Sequence, residues 1–451
     1  MALPNTDDTI VAVATAPGSG AIGIVRLSGP SSFALAGKLF APTSGQNAAT
    51  LPARTVTHGR VTSNGEVIDE ALLLTFSAPH SYTGDDVIEI QSHGGPAVLR
   101  AIIDAAVLQG ARLAGPGEFT LRAFMNGRMD LTQAEAVLDM VNASSDSARR
   151  NASLGLSGAL TDALDEIQTD LTTAYASVQA AFDYPEEGIP PARLDEPLAR
   201  AEARVAELLA TAEAGRYAQN GARLALLGKP NVGKSSLLNA LLGYQRSIVS
   251  NIPGTTRDYL EAPLMLGGIA ITLLDTAGIR HTADEIEASG VEFSRELGQA
   301  ADMRLVLLDT SEPLSEDDHT VLSHTSPERT IIVLNKRDLS PVWTSVPELA
   351  QFAPPVEVSS VTGAGLDELR ARMTQELTAG VSSTELWIGN DRHISALERV
   401  HQHIGEAQLH DHDIASFELQ DALRALGEVT GRGDVVDETL AAIFANFCVG
   451  K

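Results

Sequence analysis

The 451-residue chain holds a single cysteine, Cys448, so no disulfide can form within it. So little thiol suits a reducing compartment. Basic residues are also scarce: 32 Lys and Arg stand against 59 Asp and Glu, a net charge of −27. Binding nucleic acid through bulk charge needs the opposite balance. A DNA partner is therefore not expected, and any RNA contact must be local or shared with a partner protein. No apolar run approaches the ~20 residues of a membrane-spanning helix. Residues 1–10 carry Asp7 and Asp8 where a secretory leader carries Lys or Arg. The expectation is a soluble cytoplasmic protein without a membrane partner. At this length one core does not suffice, and two to four domains are expected.

What the chain does have is a phosphate loop. Residues 228–236 read Gly-Lys-Pro-Asn-Val-Gly-Lys-Ser-Ser, a glycine, four open positions and Gly-Lys-Ser. An apolar run at 223–227 precedes it as a buried strand, and 236–242 begins an apolar helix. Strand, glycine loop and helix converge backbone N–H groups on phosphate oxygens. Asn231, Val232, Gly233, Lys234, Ser235 and Ser236 form the expected cradle. Lys234 reaches the β- and γ-phosphates, and the Ser235 hydroxyl binds Mg²⁺.

The region 219–380 alternates apolar runs with helices, the pattern of a parallel doubly wound sheet. Its strand candidates are 223–227, 269–274, 303–308, 330–334 and 355–358. Ligands in such sheets bind at the carboxyl ends of the strands, where polar motifs follow several of these runs. Asp275-Thr276-Ala277-Gly278 follows the second, with an acid for the Mg²⁺ shell and a glycine for close approach to a γ-phosphate. Asn335-Lys336-Arg337-Asp338 follows the fourth; the Asp338 carboxylate accepts both donors of the guanine Watson–Crick edge, and Asn335 and Lys336 shape the pocket. Ser359, Ser360 and Val361 end the fifth and close over the base. Thr256, in the loop that includes Ser250, Asn251, Ile252, Pro253, Gly254 and Thr255, offers a second Mg²⁺ hydroxyl. Together these motifs resemble those of GTPases. Ile279 stands where a Ras-like chain has the water-orienting glutamine. A monovalent cation held by Asn231 and carbonyls near Ser250 and Ile252 would offset the developing charge instead. Asp284, Glu285 and Glu287 lie where a mobile loop could swing a carboxylate toward the water, while composition alone favours a solvated helix start.

Residues 1–118 read as an α+β domain, with strands at 9–15, 21–27, 55–62, 66–76 and 86–91, a hairpin at Asn64-Gly65 and a helix at 96–108. Arg26, Glu89 and His93 lie in or beside those strands as solvated or paired polar groups. Residues 119–218 and 381–451 have helical periodicity, with long helices at 160–181 and 194–212. The economical architecture is a Ras-like P-loop GTPase domain inserted into a discontinuous helical domain and preceded by the α+β domain, with separate helical bundles as the alternative.

Outside the GTPase motifs the chain carries Gly-Ile-Val-Arg-Leu-Ser-Gly at 23–29, Ser-Tyr-Thr-Gly-Asp-Asp at 81–86 and Gly-Pro-Gly-Glu-Phe-Thr at 115–120 with Arg122-Ala123-Phe124. It also carries Asp-Leu-Thr-Gln-Ala-Glu-Ala at 130–136 and the tail Phe447-Cys448-Val449-Gly450-Lys451. With these and an α+β folate-binding-type domain ahead of the GTPase insert, the chain resembles, over its whole length, the MnmE (TrmE) family of tRNA modification GTPases. The family usually has Ile or Leu where Val449 stands. The resemblance implies a homodimer formed through the N-terminal domain and a flavoprotein partner, MnmG. With it, the chain would place an aminomethyl or carboxymethylaminomethyl group at C5 of the wobble uridine of tRNA. It implies a one-carbon unit from a tetrahydrofolate derivative at Arg26, Glu89, Arg128 and Lys451; family members commonly carry Lys where Arg128 stands. It further implies a potassium-activated GTPase with K⁺ at Asn231, Ser250, Ile252 and Thr255, Mg²⁺ at Ser235 and Thr256, Glu287 as catalytic acid, and a functional Cys448. Two other classes share parts of this pattern: a GTP-switched RNA or ribosome assembly factor, and a folate-dependent one-carbon enzyme regulated by GTP.

Overall fold

The structure is a computed structural model and describes residues 7–183, 194–246, 264–274, 301–343, 346–378, 386–433 and 437–450. They divide into two compact units, one of 1–138, 155–194 and 406–451, the other of 139–154 and 195–405. Helices from the stretches 119–218 and 381–451 are distributed between both units.

The first unit begins with β1 (Ile10–Val13), β2 (Gly20–Ser28), α1 (Ser32–Leu39), β3 (Phe40–Pro42), β4 (Val56–Ser63), β5 (Glu66–Phe76), β6 (Val87–Gly94), α2 (Pro96–Leu108) and β7 (Arg112–Leu113). The strands form one sheet in the order β3-β4-β5-β6-β2-β1-β7, antiparallel except for the β1–β7 pair. The β4–β5 hairpin turns at Asn64 and Gly65, φ 49° and 86°. A two-residue hairpin with both central residues left-handed matches the twist of its strands, which is why Asn-Gly appears there. Alternation decides the faces. Val25 and Leu27 point into a core with Leu73, Ile88 and Ile90, covered by Leu35 and Leu39 of α1 and Leu99 and Ile102 of α2. Arg26 and Glu89 point the other way, opposite each other in the β2–β6 register.

The chain continues through α3 (Glu118–Met125), α4 (Leu131–Asn142), α5 (Asp146–Leu156) and α6 (Ala159–Asp183). On α6 Leu160, Leu164, Ile167, Leu171, Ala174 and Val178 are all buried. Their steps of four and three put one continuous stripe on a 3.6-residue helix.

In the second unit, α7 (Asp195–Ala210) and α8 (Ala212–Asn220) replace the single helix expected at 194–212. The break falls at Thr211, whose hydroxyl donates to the Leu208 carbonyl and accepts from the Ile388 amide. This is the kind of side-chain to backbone bond that competes with helix continuation. Then come β8 (Ala222–Leu227), α9 (Lys234–Arg246), β9 (Leu264–Leu266), β10 (Ile269–Leu274), β11 (Met303–Asp309), α10 (Glu316–His324), β12 (Thr330–Asn335), β13 (Val356–Glu357) and α11 (Leu366–Thr378). Their sheet runs β13-β12-β11-β8-β10-β9. All pairs are parallel except the edge strand β9, which pairs antiparallel with β10 and was absent from the sequence-based strand set. Both faces are covered, so the strands are near-continuous apolar runs. Leu224, Leu305 and Ile331 pack with Leu237 and Leu369 on one side, while Ala225, Val306 and Ile332 pack with Leu322 and Phe352 on the other.

The chain closes with α12 (Asp391–Leu409), α13 (His412–Thr430) and α14 (Asp437–Ala445). Within the first unit α13 lies along α6. Phe444 and Phe447 pack with Leu121 and Leu131. Gly117 makes this approach possible: its φ is 63°, and a Cβ there would sit 2.8 Å from the Phe444 carbonyl.

Candidate functional site

β8 is the strand at which the second sheet reverses its winding: β10 follows on one side, and β11, β12 and β13 on the other. A crevice opens at the carboxyl end of such a strand, and ligands bind there. The loop that leaves β8 there is 228–233. Gly228 has φ 140°, and a Cβ would come within 2.6 Å of the Leu307 carbonyl. Gly233 has φ 105°, and a Cβ would run into the Asn335 amide nitrogen. Asn231 is left-handed as well, φ 62°. Val232 plugs the loop into the core, 1% exposed. The loop is thus wrapped with its backbone inward, and Lys234, Ser235 and Ser236 open α9 directly behind it.

The Lys234 ammonium donates to the carbonyls of Gly228 (2.6 Å) and Lys229 (2.9 Å). Burial holds its pKa below the ordinary lysine value. A half-buried cation whose acceptors among the described residues are all neutral carbonyls is strongly drawn to an anion. The glycine cradle and this lysine therefore fit a nucleotide's phosphates. Ser235 is exposed in the first turn of α9, within the same cradle.

The second loop follows β12. Asn335 is 2% exposed, and its amide nitrogen donates to the Val232 carbonyl at 2.9 Å. Its amide oxygen accepts from the Ser360 hydroxyl at 3.0 Å and from the Ser360 amide at 3.3 Å. One side chain therefore ties the phosphate loop to the loops after β12 and β13. Lys336, φ 65°, pairs with the buried Asp309 at the end of β11. Burial pushes the Asp309 carboxyl up, but hydrogen bonds from Lys336 and Ser311 hold it below its usual range. Asp338 is exposed, with one oxygen fixed by the Ser359 hydroxyl at 2.6 Å. Val361 is 83% exposed at the rim. Asn231, Val232, Gly233, Lys234, Ser235, Ser236, Asn335, Lys336, Asp338, Ser359, Ser360 and Val361 all lie at the carboxyl end of the sheet, in the first turn of α9, at the last residue of β12 or in the loops after β8, β12 and β13. Ser250, Asn251, Ile252, Pro253, Gly254, Thr255, Thr256, Asp275, Thr276, Ala277, Gly278 and Glu287 lie outside the described residues.

In the first unit, Arg26 pairs with Glu89 at 2.8 Å, both side chains largely buried. The Arg26 guanidinium lies 5.1 Å from the centroid of the Tyr82 ring and 5.6 Å from that of Phe119. This cation–π enclosure was not visible in the sequence, because its members are 56 and 93 residues from Arg26. Arg128 donates through Nε to the Ser81 carbonyl at 3.1 Å, one residue from Tyr82. The tail returns to the same unit. Val449 bridges Pro116, Cys448 is exposed, and a Cβ on Gly450 would run into the Val13 carbonyl of β1. Val13 stands opposite Val25, the residue before Arg26. Lys451 lies outside the described residues. His93 stands apart from Arg26 and is paired with Asp69 at 2.9 Å.

Behind this site, Arg122 is completely buried and donates to the Asp8 carboxylate at 2.6 Å and carbonyl at 2.7 Å, and to Glu118 at 3.2 Å. Arg112 adds bonds to Glu118 and Asp8. Burial raises the Glu118 carboxyl, but the bonds from Arg112 and the Gly115 amide outweigh it and hold the group below its ordinary value.

A family model described as "MnmE helical domain" matches residues 131–448, and one described as "GTP-binding protein TrmE N-terminus" matches 9–128. Among curated relatives, the tRNA modification GTPase MnmE of Thermus thermophilus is 45% identical over 449 residues, covering 99% of this chain and 100% of the relative. Its namesake from Moorella thermoacetica is 43% identical over 466 residues, covering 99% and 100%. That of Chloroflexus aurantiacus is 43% identical over 457 residues, with the same coverage.

Proposed function

The chain belongs to the MnmE family of tRNA modification GTPases, and from that premise we propose that it hydrolyses GTP to GDP and phosphate to drive modification of the wobble uridine of tRNA. The observation that carries the reading is the Asn335 clasp, because it joins the phosphate cradle to the base-reading loops through one buried side chain. Lys234 binds the β- and γ-phosphates. Asp338, its rotamer fixed by Ser359, accepts from the guanine edge. Ser235 and Thr256 would hold Mg²⁺, which offsets phosphate charge. Asn231, Ser250, Ile252 and Thr255 would hold K⁺ in place of an arginine finger, and Glu287 would orient the attacking water near Asp275–Gly278 (275–278).

The further parts of the reading are a tetrahydrofolate derivative at Arg26, Glu89, Arg128 and Lys451, which supplies the one-carbon unit, and Cys448 acting beside it. Support comes from the aromatic enclosure of Arg26 and from the tail packed on β1. The working assembly is a homodimer with the flavoprotein MnmG, acting on tRNA in the cytoplasm. The corresponding domains are 1–118 for folate and dimerisation, 219–380 for GTP, and 119–218 with 381–451 for the helical body.

Steady-state GTP hydrolysis in KCl and in NaCl at equal ionic strength tests the cation. The expected stimulation by K⁺ is roughly a hundredfold, the scale set by one preorganised charge-stabilising group. Equal rates would sink the cation mechanism and return attention to an arginine finger from a partner. Mass analysis of tRNA nucleosides tests the tRNA reading: a deletion strain carrying Lys234→Ala should lack the wobble modification that the wild-type chain restores.

A further inference from the structure

The side chain of Lys229, the second residue of the phosphate loop, is held by two acids outside that loop. Its ammonium lies 2.8 Å from the Glu312 carboxylate and 2.9 Å from the Asp318 carboxylate, and the side chain is 12% exposed. Asp318 is 1% exposed and already fixed. It belongs to the capping box of α10, accepting from the Ser315 amide and hydroxyl. Its other oxygen is buried and has no hydrogen-bond partner among the described residues. Removing Lys229 would leave that carboxylate buried with its charge uncompensated. Meanwhile the Lys229 carbonyl is one of the two acceptors that hold the Lys234 ammonium.

The segment between β11 and α10 is itself anchored to the base-reading loop. Asp309 holds Lys336, the Thr310 hydroxyl donates to the Asn335 carbonyl at 3.1 Å, and the Trp343 indole donates to the Glu312 carbonyl at 2.8 Å. Lys229 therefore links the phosphate loop to a rigid platform that also carries the base-reading loop.

We propose that Lys229, seated between Glu312 and Asp318, is a positioning residue for GTP: it fixes the phosphate loop and masks two carboxylates from the incoming phosphates. Two consequences separate this role from general stability. Unmasked carboxylates repel the more highly charged nucleotide more, so GTP affinity falls further than GDP affinity. Arginine, which keeps the charge, restores what methionine loses. The inference rests on the reading of 228–236 as the nucleotide site, and Lys234→Ala tests that reading separately.

The experiment is fluorescent-nucleotide binding and steady-state hydrolysis on the full chain, comparing Lys229→Met, Lys229→Arg and Glu312→Gln. Lys229→Met should raise the Kd for GTP roughly tenfold, equivalent to about 1.4 kcal/mol. The Kd for GDP should rise less, KM should rise with kcat changing less than about twofold, and Lys229→Arg should lie near wild type. Unchanged affinity in Lys229→Met would overturn the proposal, as would equal losses for GTP and GDP that arginine does not repair. If Lys229→Met does not fold, Glu312→Gln decides. It removes one partner at a half-exposed position, and a GTP Kd that does not move in that variant would overturn the proposal too. Lys234→Ala that still bound GTP normally would instead sink the nucleotide-site reading itself.

Discussion

Glu118, 2% exposed beside the fully buried Arg122, shows how single charges are kept inside this fold. A buried carboxylate is tolerated because two guanidinium groups and the Gly115 amide satisfy it. Glu118→Gln leaves Arg122 short of a counter-charge, and breaking such a pair costs about 3–5 kcal/mol. Hydrogen exchange across α3 should read the loss as faster opening, whereas unchanged protection would show that Asp8 alone suffices. The pH dependence has a definite sign. The folded-state carboxyl lies below its ordinary value of 4.5, so its stabilisation is complete above that pH and is lost as pH falls through the folded-state value. Protection of α3 should therefore drop as the pH falls below about 4.5 in the wild type, and drop less in Glu118→Gln. Asp338 makes a second residue-scale case. In the proposed site its carboxylate would accept from two guanine donors; an amide offers one acceptor and one donor, which suits xanthine. Asp338→Asn should weaken GTP binding by at least ~100-fold and gain xanthosine triphosphate, since a site built for one hydrogen-bond pattern rejects the analogue that leaves it unpaired. Competition binding with both nucleotides checks it, and undiminished guanine preference would remove Asp338 from the base site.

At the level of elements, Gly233→Ala tests whether the cradle depends on backbone shape. The added Cβ meets the Asn335 amide, and φ 105° is costly for any side chain. Nucleotide affinity should fall more than tenfold while the far-UV spectrum and melting profile stay near wild type, because the change is confined to the loop that leaves β8 and leaves the sheet's own pairing untouched. A lowered melting temperature with intact GTP binding would contradict this. The same elements show what the sequence carried. The apolar runs at 223–227, 269–274, 303–308 and 330–334 became β8, β10, β11 and β12 within a residue or two. Burial on both faces writes itself as uninterrupted hydrophobicity. Asn64-Gly65 announced its hairpin because few other pairs adopt that turn. β9 escaped notice since three residues against one edge make no pattern, and Thr211 broke a helix through a bond to Ile388, 177 residues away. In the site, glycines and motif residues were legible because their chemistry is local. Lys229 with Asp318, Arg26 with Tyr82 and Phe119, and Glu118 with Arg112 and Arg122 take their meaning from partners the fold supplies. No window of sequence contains all of them.

For the molecule as a whole, the deciding quantity is charge. A chain of net charge −27 that acts on tRNA approaches a polyanion against its own field. Each phosphate neutralised by a Lys or Arg releases counterions, and six to ten such contacts weaken binding by about 10³–10⁵ between 50 and 200 mM salt. Many arginines in the described residues are already committed to acids of this chain: Arg112 to Asp8, Arg149 and Arg150 to Asp146, Arg223 to Asp302 and Arg432 to Asp165. The chain alone should therefore bind tRNA weakly, with a shallow dependence of log K on log salt corresponding to about three phosphate contacts or fewer. If the proposed flavoprotein partner supplies the basic surface, adding it should increase both the affinity and the slope. Titrating labelled tRNA at several KCl concentrations, with and without that partner, measures both slopes. A steep slope for the chain alone would mean that a concentrated basic patch on this protein holds the tRNA. Equal slopes with and without the flavoprotein would mean that the RNA-binding surface is not shared.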